Sequence, residues 1–300
     1  MSDIIVVGSG PAGVSAALYA LRGGTGVTLV AKDGGALMRA AEIENYYGFP
    51  EVISGEELVQ NGIAQAKRLG AQLLEEEVVD LAWDDGTFTV KTPSHTLTAP
   101  AVVLATGASR ARPDIAGLAD FEGHGVSYCA VCDAFFYRGK DVAVLGSGEY
   151  AVHEAVTLLP VAKSVTMLTN GAPVVGEIPE EIVVNEKEIA RFTGEDTLSA
   201  AEFKDGSRLE VQGLFIAIGV AGSGDLAKKL GAAADGNRIV VDENTATSVP
   251  GLFAAGDCTG GLLQVAKAVY EGAKAGIEAV RHVRKPGIEK LPLQDVPGAG

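Results

Sequence analysis

Two short glycine-rich turns limit what this chain can fold into. The first, Gly8-Ser9-Gly10-Pro11-Ala12-Gly13, follows a β-favouring run from Ile4 to Val7 and precedes an apolar-periodic stretch from Val14 to Leu21. A strand that ends in such a turn and re-enters as a helix brings backbone N–H groups close to a bound pyrophosphate. The first two glycines permit the tight turn and the close approach, and the third lets helix and strand pack. Alone, this spacing is a weak signal; between a strand and a helix it is a dinucleotide fingerprint. The second turn, Gly146-Ser147-Gly148-Glu149-Tyr150-Ala151, follows a strand-like run from Asp141 to Leu145 and opens a helix predicted over Val152 to Leu159. A chain with two such turns contains two nucleotide-fold units, so the fold class expected is α/β with two Rossmann-like domains.

The remaining segments fit around these turns. A second strand, Val27 to Val30, runs out into Ala31-Lys32-Asp33. An acid about twenty residues past the glycines holds a ribose hydroxyl in such folds, and Asp33 is either that acid or a turn residue. The loop after Gly34-Gly35 carries Asn45-Tyr46-Tyr47-Gly48-Phe49-Pro50, whose aromatics either flank a planar ring or pack a lid. Ser54-Gly55-Glu56-Glu57 reads as a capping box that starts a helix to about Leu69. Residues 72–99 are expected to form a small antiparallel insert, and Ala101 to Gly107 a buried strand ending in a Thr106-Gly107 turn. Strand-like runs recur at Ser164 to Leu168, Leu209 to Ile218 and Ile239 to Val241. Another, from Thr247 to Asp257, is followed by a helix from about Leu262 to Val283.

Between the two glycine turns lies Tyr128-Cys129-Ala130-Val131-Cys132-Asp133, with Phe135 and Phe136 just beyond. Two residues between cysteines put the sulfurs within disulfide reach and often lower one thiol's pKa, which reads as a redox-active pair. The alternative is half of a zinc site. Tetrahedral zinc needs four ligands, and the chain offers only Cys258 and four scattered histidines besides, so no metal is expected. Asp133 is either the acid that moves protons as the disulfide opens and closes, or an ordinary turn or cap aspartate.

Bulk properties narrow the field. With 300 residues, 47% of them apolar, the chain can bury the cores of two domains. Three cysteines are too few for a disulfide-stapled scaffold and fit a reducing, cytoplasmic setting. The sequence opens directly on a strand, with no basic leader or signal-type apolar core, and no run is long enough to span a bilayer, so no membrane role is expected. A formal charge of −15 repels phosphate backbones and argues against nucleic acid as a partner.

Taken in order, Gly8 to Gly13, Glu44-Asn45-Tyr46 with Gly48-Phe49-Pro50, Ala105-Thr106-Gly107, Cys129 to Asp133, Gly146 to Ala151 and Ala254-Ala255-Gly256-Asp257 resemble the low-molecular-weight thioredoxin reductases over nearly the whole chain. That resemblance implies a three-layer ββα FAD-binding domain built from residues 1–112 and 245–300. A cysteine-bearing domain, residues 113–244, would be inserted between them. It further implies that Gly8, Ser9, Gly10, Pro11, Ala12 and Gly13 hold the FAD pyrophosphate, with Lys32 and Asp33 near the adenosine end. Asn45, Thr106 and Gly107 would lie near the flavin, Gly256 and Asp257 at the ribityl chain or phosphates, and Gln264 with Val265 at the pyrimidine edge. Cys132 would face the flavin and Cys129 attack the disulfide of a thioredoxin, within a homodimer.

The departures are as informative. NADPH-using relatives place a basic cluster after the second turn's next strand; here that strand ends Met167-Leu168-Thr169-Asn170-Gly171, with neither a base nor the acid that NAD favours. Glu149 puts a carboxylate where a pyrophosphate would sit. The second nucleotide fold therefore reads as scaffold that has lost its ligand. In this the chain resembles the ferredoxin-dependent flavin thioredoxin reductases, with ferredoxin as the expected electron donor and Lys267, Lys274 and Arg281 as a candidate landing stripe. Three alternatives stay open: an NAD(P)H-dependent thioredoxin reductase, a diflavin enzyme with Tyr46, Tyr47 and Tyr150 stacking on a second ring, and an oxygen-using dithiol oxidase. A non-enzymatic flavin redox sensor is a further reading.

Overall fold

The computed structural model describes residues 2–107, 113–128, 130–219, 223–236 and 238–284, with the side chains of Val131, Cys132 and Ser223 left aside. In chain order the first elements are β1 (Ile4–Val7), α1 (Pro11–Arg22), β2 (Val27–Val30), α2 (Gly55–Arg68), β3 (Gln72–Leu74), β4 (Asp80–Asp84), β5 (Thr87–Lys91), β6 (Thr96–Ala99) and β7 (Ala101–Leu104). The middle of the chain gives β8 (Val126–Ser127), α3 (Ala130–Asp133), β9 (Asp141–Leu145), α4 (Glu149–Leu158), β10 (Ser164–Leu168), β11 (Ile182–Asn185), β12 (Ile189–Gly194), β13 (Leu198–Phe203), β14 (Arg208–Glu210), β15 (Gly213–Ile216) and α5 (Ser223–Lys229). The short strands β16 (Ala234–Asp235) and β17 (Arg238–Ile239) lead to β18 (Leu252–Ala254) and the long helix α6 (Val265–Val283).

These elements make an α/β fold with two parallel five-stranded sheets, ordered β18-β7-β1-β2-β3 and β11-β10-β9-β15-β8. Each central strand is apolar on both faces because each sheet is covered on both sides. In β1, Ile4 and Val6 join the core beneath α1 and α6, whereas Ile5 and Val7 face the meander of β4, β5 and β6 through Leu81, Phe88 and Val90. The second sheet repeats this: Val142 and Val144 of β9 share a cluster with α4 residues Ala151 and Ala155, and Ala143 and Leu145 face the meander of β12, β13 and β14. Each such buried aliphatic side chain contributes about 1.5–3 kcal/mol over its exposed state. We call the two sheets with their layers the first and second units; β18, from far along the chain, closes the first.

Residues 72–99 depart from expectation at their start. Gln72–Leu74 pairs in parallel with β2, through Thr28 with Gln72 and Val30 with Leu74, so the antiparallel insert is only β4 to β6. The run from Leu209 to Ile218 likewise divides, with β14 in the meander and β15 in the sheet.

Two glycines of α6 set its contact with α1. A Cβ at Gly272 would lie 2.1 Å from the Ala12 carbonyl oxygen and one at Gly276 2.3 Å from that of Ala16. Glycines at this i, i+4 spacing let α6 lie directly on α1. The close approach fixes the turn before α6 against the N-terminus of α1. Among the described residues no helix is long and apolar enough to cross a membrane.

Candidate functional site

The first glycine turn is shaped by sterics within the chain and leaves room above it. Gly8 has φ 108°, and a Cβ there would lie 2.3 Å from the Ala105 carbonyl oxygen; one on Gly13 would lie 1.8 Å from that of Gly8. These two glycines are required by the polypeptide itself. Gly10 is not: its backbone is extended, and the nearest atom to a Cβ would be Gly34 O at 3.8 Å. The absence of a side chain there keeps open a cradle at the start of α1, a helix with Pro11 at its first position and no acidic residue in its first turn. Buried Ser9 donates its hydroxyl to the Asp33 carbonyl at 3.0 Å, tying the turn to the end of β2. This cradle fits the diphosphate of a dinucleotide such as FAD.

The other candidates are held by contacts of their own. The Asp33 carboxylate accepts the Gly35 N–H at 2.9 Å, which is the turn role. Lys32 pairs at 2.9 Å with Glu77, a buried acid after β3 that its sequence surroundings do not single out. Asn45 Nδ2 donates to Gln264 Oε1 at 3.0 Å, joining residues far apart in sequence at the N-cap of α6, with Val265 as its first residue. Thr106 and Gly107 follow β7, and Gly107, with φ 78°, has nothing within 4 Å of where a Cβ would be.

A Cβ on Gly256 would lie 2.8 Å from Ala12 Cβ, so the turn carrying Asp257 abuts the start of α1. That turn is held by a pair missed in the sequence, although its i, i+4 spacing on a helix was a usable signal. Glu271 accepts the Gly256 N–H at 2.8 Å, and Lys267 donates to Gly256 O at 2.8 Å and Thr259 Oγ1 at 2.9 Å. The two side chains lie 3.0 Å apart. Burial raises the Asp257 carboxyl above its usual range, Lys267 opposes this and Glu271 adds to it. Lys267 is therefore turned into the turn and not outward. Of the stripe of Lys267, Lys274 and Arg281, Lys267 therefore contributes no outward cation, whereas Arg281, paired to Glu278, keeps a side chain 68% exposed.

The second glycine turn contrasts with the first. Glu149 stands in the first turn of α4, and the segment after β10 runs beside the turn. Val175 donates its N–H to the Ser147 carbonyl at 2.7 Å, and a Cβ on Gly176 would be 3.6 Å from Glu149 Cγ. Val174 and Ile178 pack against the apolar core on either side. At the end of β10, Asn170 spends its side-chain oxygen on the Ile189 N–H at 2.7 Å. Of the three tyrosines offered for a second ring, Tyr150 is 2% exposed in the core and not placed to stack, whereas Tyr47 is 98% exposed.

Cys129 lies outside the described residues, as does the Cys132 side chain, but the helix that carries Cys132 is described. Its first residue, Ala130, is fully buried and donates its N–H to Glu154 Oε2 at 2.8 Å. Asp133 makes no side-chain capping bond; its carboxylate accepts from Ser127 Oγ at 2.7 Å. Beside it, burial and then the Asp133 charge raise the Tyr137 hydroxyl's pKa. Phe135 and Phe136 are 71% and 67% exposed, an apolar patch adjoining the cysteine helix. No group of three or more His, Cys, Asp or Glu side chains that could hold a metal occurs among the described residues.

Comparison with known proteins agrees with this geometry. Residues 2–272 match the pyridine nucleotide-disulphide oxidoreductase family. The thioredoxin reductase of Mycolicibacterium smegmatis is 35% identical, over 93% of this chain and 96% of its own. Among solved structures, the atypical thioredoxin reductase TRi from Desulfovibrio vulgaris Hildenborough is 42% identical over 96% of this chain and 99% of its own, with a TM-score of 0.89. A ferredoxin-flavin thioredoxin reductase from Clostridium acetobutylicum is 30% identical over 93% and 97%, with a TM-score of 0.71. The chain thus belongs to the pyridine nucleotide-disulphide oxidoreductase family, as a FAD-binding disulfide oxidoreductase of the thioredoxin reductase type.

Proposed function

We propose that this protein reduces the disulfide of a thioredoxin with electrons drawn from a one-electron carrier, ferredoxin, and without using a pyridine nucleotide. The observation that carries the reading is the difference between the two helix starts: α1 follows an open cradle and has no acid in its first turn, whereas α4 begins on Glu149, with Val175 bonded to Ser147 and Gly176 beside the Glu149 side chain. An anion brought to α4 would meet a carboxylate and a backbone already hydrogen-bonded to Ser147. The likeness to a ferredoxin-flavin thioredoxin reductase supports the choice of donor.

In this reading, residues from both ends of the chain hold FAD: Gly8 to Gly13 at the diphosphate, Lys32 and Asp33 toward the adenosine, and Asn45, Thr106, Gly107 and Gln264 with Val265 about the ring. Gly256 and Asp257 lie at the ribityl chain. When bound, FAD supplies the exchange between one-electron donors and a two-electron dithiol. The Cys129 thiolate attacks the partner's disulfide and forms a mixed disulfide, expelling one partner thiolate. Cys132 then attacks the Cys129 sulfur, which releases the partner as a dithiol and leaves Cys129 bonded to Cys132. Asp133, held by Ser127, takes the proton from Cys132 as that thiol becomes the nucleophile. Phe135 and Phe136 offer the apolar surface on which a protein partner docks beside the pair.

Enzyme reduced anaerobically by light with a deazaflavin sensitiser is expected to convert a thioredoxin disulfide to dithiol. Absence of thioredoxin reduction, together with fast oxygen uptake on a small dithiol, would instead favour the oxidase.

The family's own name gives a second reading some weight, since it allows for NADPH or NADH as donor. That reading requires a nucleotide to bind at the start of α4 beside the Glu149 carboxylate.

A further inference from the structure

A line of polar contacts runs from the first unit to the cysteine helix. Lys229, at the end of α5, has a side chain only 1% exposed. Its ammonium lies 2.8 Å from Glu154 Oε1 of α4 and 3.6 Å from Asp80 Oδ1 of β4, in the other unit. Glu154, 2% exposed at its side chain, gives its second oxygen to the Ala130 N–H at 2.8 Å. Ala130 sits between Cys129 and Cys132 in sequence. The helix α5 packs against β4, so the Lys229 to Asp80 link lies at the contact between the units.

We propose that Lys229 is a positioning residue that sets where the cysteine helix sits relative to the first unit, by tying Glu154 to Asp80. A buried ammonium is costly unless carboxylates surround it, and here one partner belongs to each unit. Burial alone would raise the Asp80 carboxyl, but Lys229 and then Lys91 hold it below its ordinary value, as a real cross-unit attraction requires. Removing the ammonium leaves the two carboxylates that shared it, Glu154 and an Asp80 held only by Lys91 at 3.2 Å, so attraction between the units gives way to repulsion. Movement of one unit against the other would have to break the Asp80 link, while the bond from Glu154 to Ala130 travels with the helix. The consequence for turnover rests on the proposed disulfide-reductase function; the positioning itself does not.

The test is small-angle X-ray scattering on FAD-loaded wild type, Lys229→Met, Asp80→Asn and the double variant, at mildly alkaline pH and low salt. The radius of gyration should increase most in Lys229→Met and less in Asp80→Asn, and adding Asp80→Asn to Lys229→Met should reduce it again. If Lys229 serves only to neutralise Glu154 inside the second unit, Asp80→Asn changes nothing and the double variant matches Lys229→Met; that result overturns the proposal. Should Lys229→Met not fold, Asp80→Asn alone decides, because it leaves the pair of Lys229 and Glu154 intact. Scattering is read without substrate. Unchanged radii beside normal thioredoxin turnover would remove this role alone, and shifted radii in a protein that reduces no thioredoxin would remove the functional reading alone.

Discussion

Gly10→Ala is expected to leave the FAD-free protein as stable as wild type and to weaken FAD binding about a hundredfold, whereas Gly148→Ala should change neither stability nor turnover. The two positions are matched. Both have extended backbones that alanine adopts without strain, with φ −70° and −95°, and both have room for a methyl group, with nearest atoms at 3.8 and 3.5 Å. Neither glycine is demanded by the packing of the chain, so only a ligand can give the methyl an effect. At Gly10 the methyl would occupy the approach of a diphosphate to the α1 backbone. Losing one or two charge-assisted hydrogen bonds there costs about 3 kcal/mol, or about a hundredfold in affinity. At Gly148 the nearest atom is the Gly219 carbonyl oxygen, and the next residue is Glu149, whose carboxylate already disfavours an anion there. Thermal melts of the apo forms and flavin-fluorescence titrations measure both. A loss of turnover in Gly148→Ala would mean that the second turn does hold a nucleotide.

The second large effect concerns the sulfurs. Cys132→Ser and Cys129→Ser should each reduce thioredoxin turnover at least about a thousandfold while leaving the protein yellow, because thiol exchange needs an attacking and a resolving sulfur and no other group in the helix can replace either. The two variants should differ in what they trap. With Cys132 replaced, Cys129 still attacks and the mixed disulfide with thioredoxin has no internal thiol to resolve it, so a covalent complex should appear on a non-reducing gel. With Cys129 replaced, no such complex should form. The opposite pattern would exchange the roles of the two cysteines, and undiminished turnover in either variant would remove the pair from the mechanism.

How much of the molecule was visible in its sequence depended on how local the cause is. The glycine turns were legible because they repeat a known spacing between a strand and a helix; the steric need at Gly13 is local, from Gly8, whereas that at Gly8 comes from distant Ala105. The two α/β units followed from the paired turns, and buried parallel strands from runs such as Ile4 to Val7 and Ala101 to Leu104, apolar on both faces. Glu149 could be placed correctly because a helix start fixes what lies beside it. Gln72–Leu74 was misplaced because three residues of mixed polarity carry no period, and its partner strand alone makes it parallel. Lys267 looked like one of a solvated stripe because helical spacing gives a face but not a length; its side chain reaches back to the Gly256 carbonyl. The cover over the second turn is a backbone bond from Val175, to which side-chain identity gives no clue. The bond between Glu154 and Lys229 joins positions 75 residues apart, beyond any local pattern.

The proposed function has electrons reach the cysteines through FAD without a pyridine nucleotide at the second glycine turn. Anaerobic titration of the yellow protein with NADPH, NADH and reduced ferredoxin, following the flavin absorption band, tests this directly. Reduced ferredoxin should bleach the band and generate two protein thiols per chain, with NADPH and NADH leaving it unchanged even in excess. Bleaching by either pyridine nucleotide within seconds would contradict it.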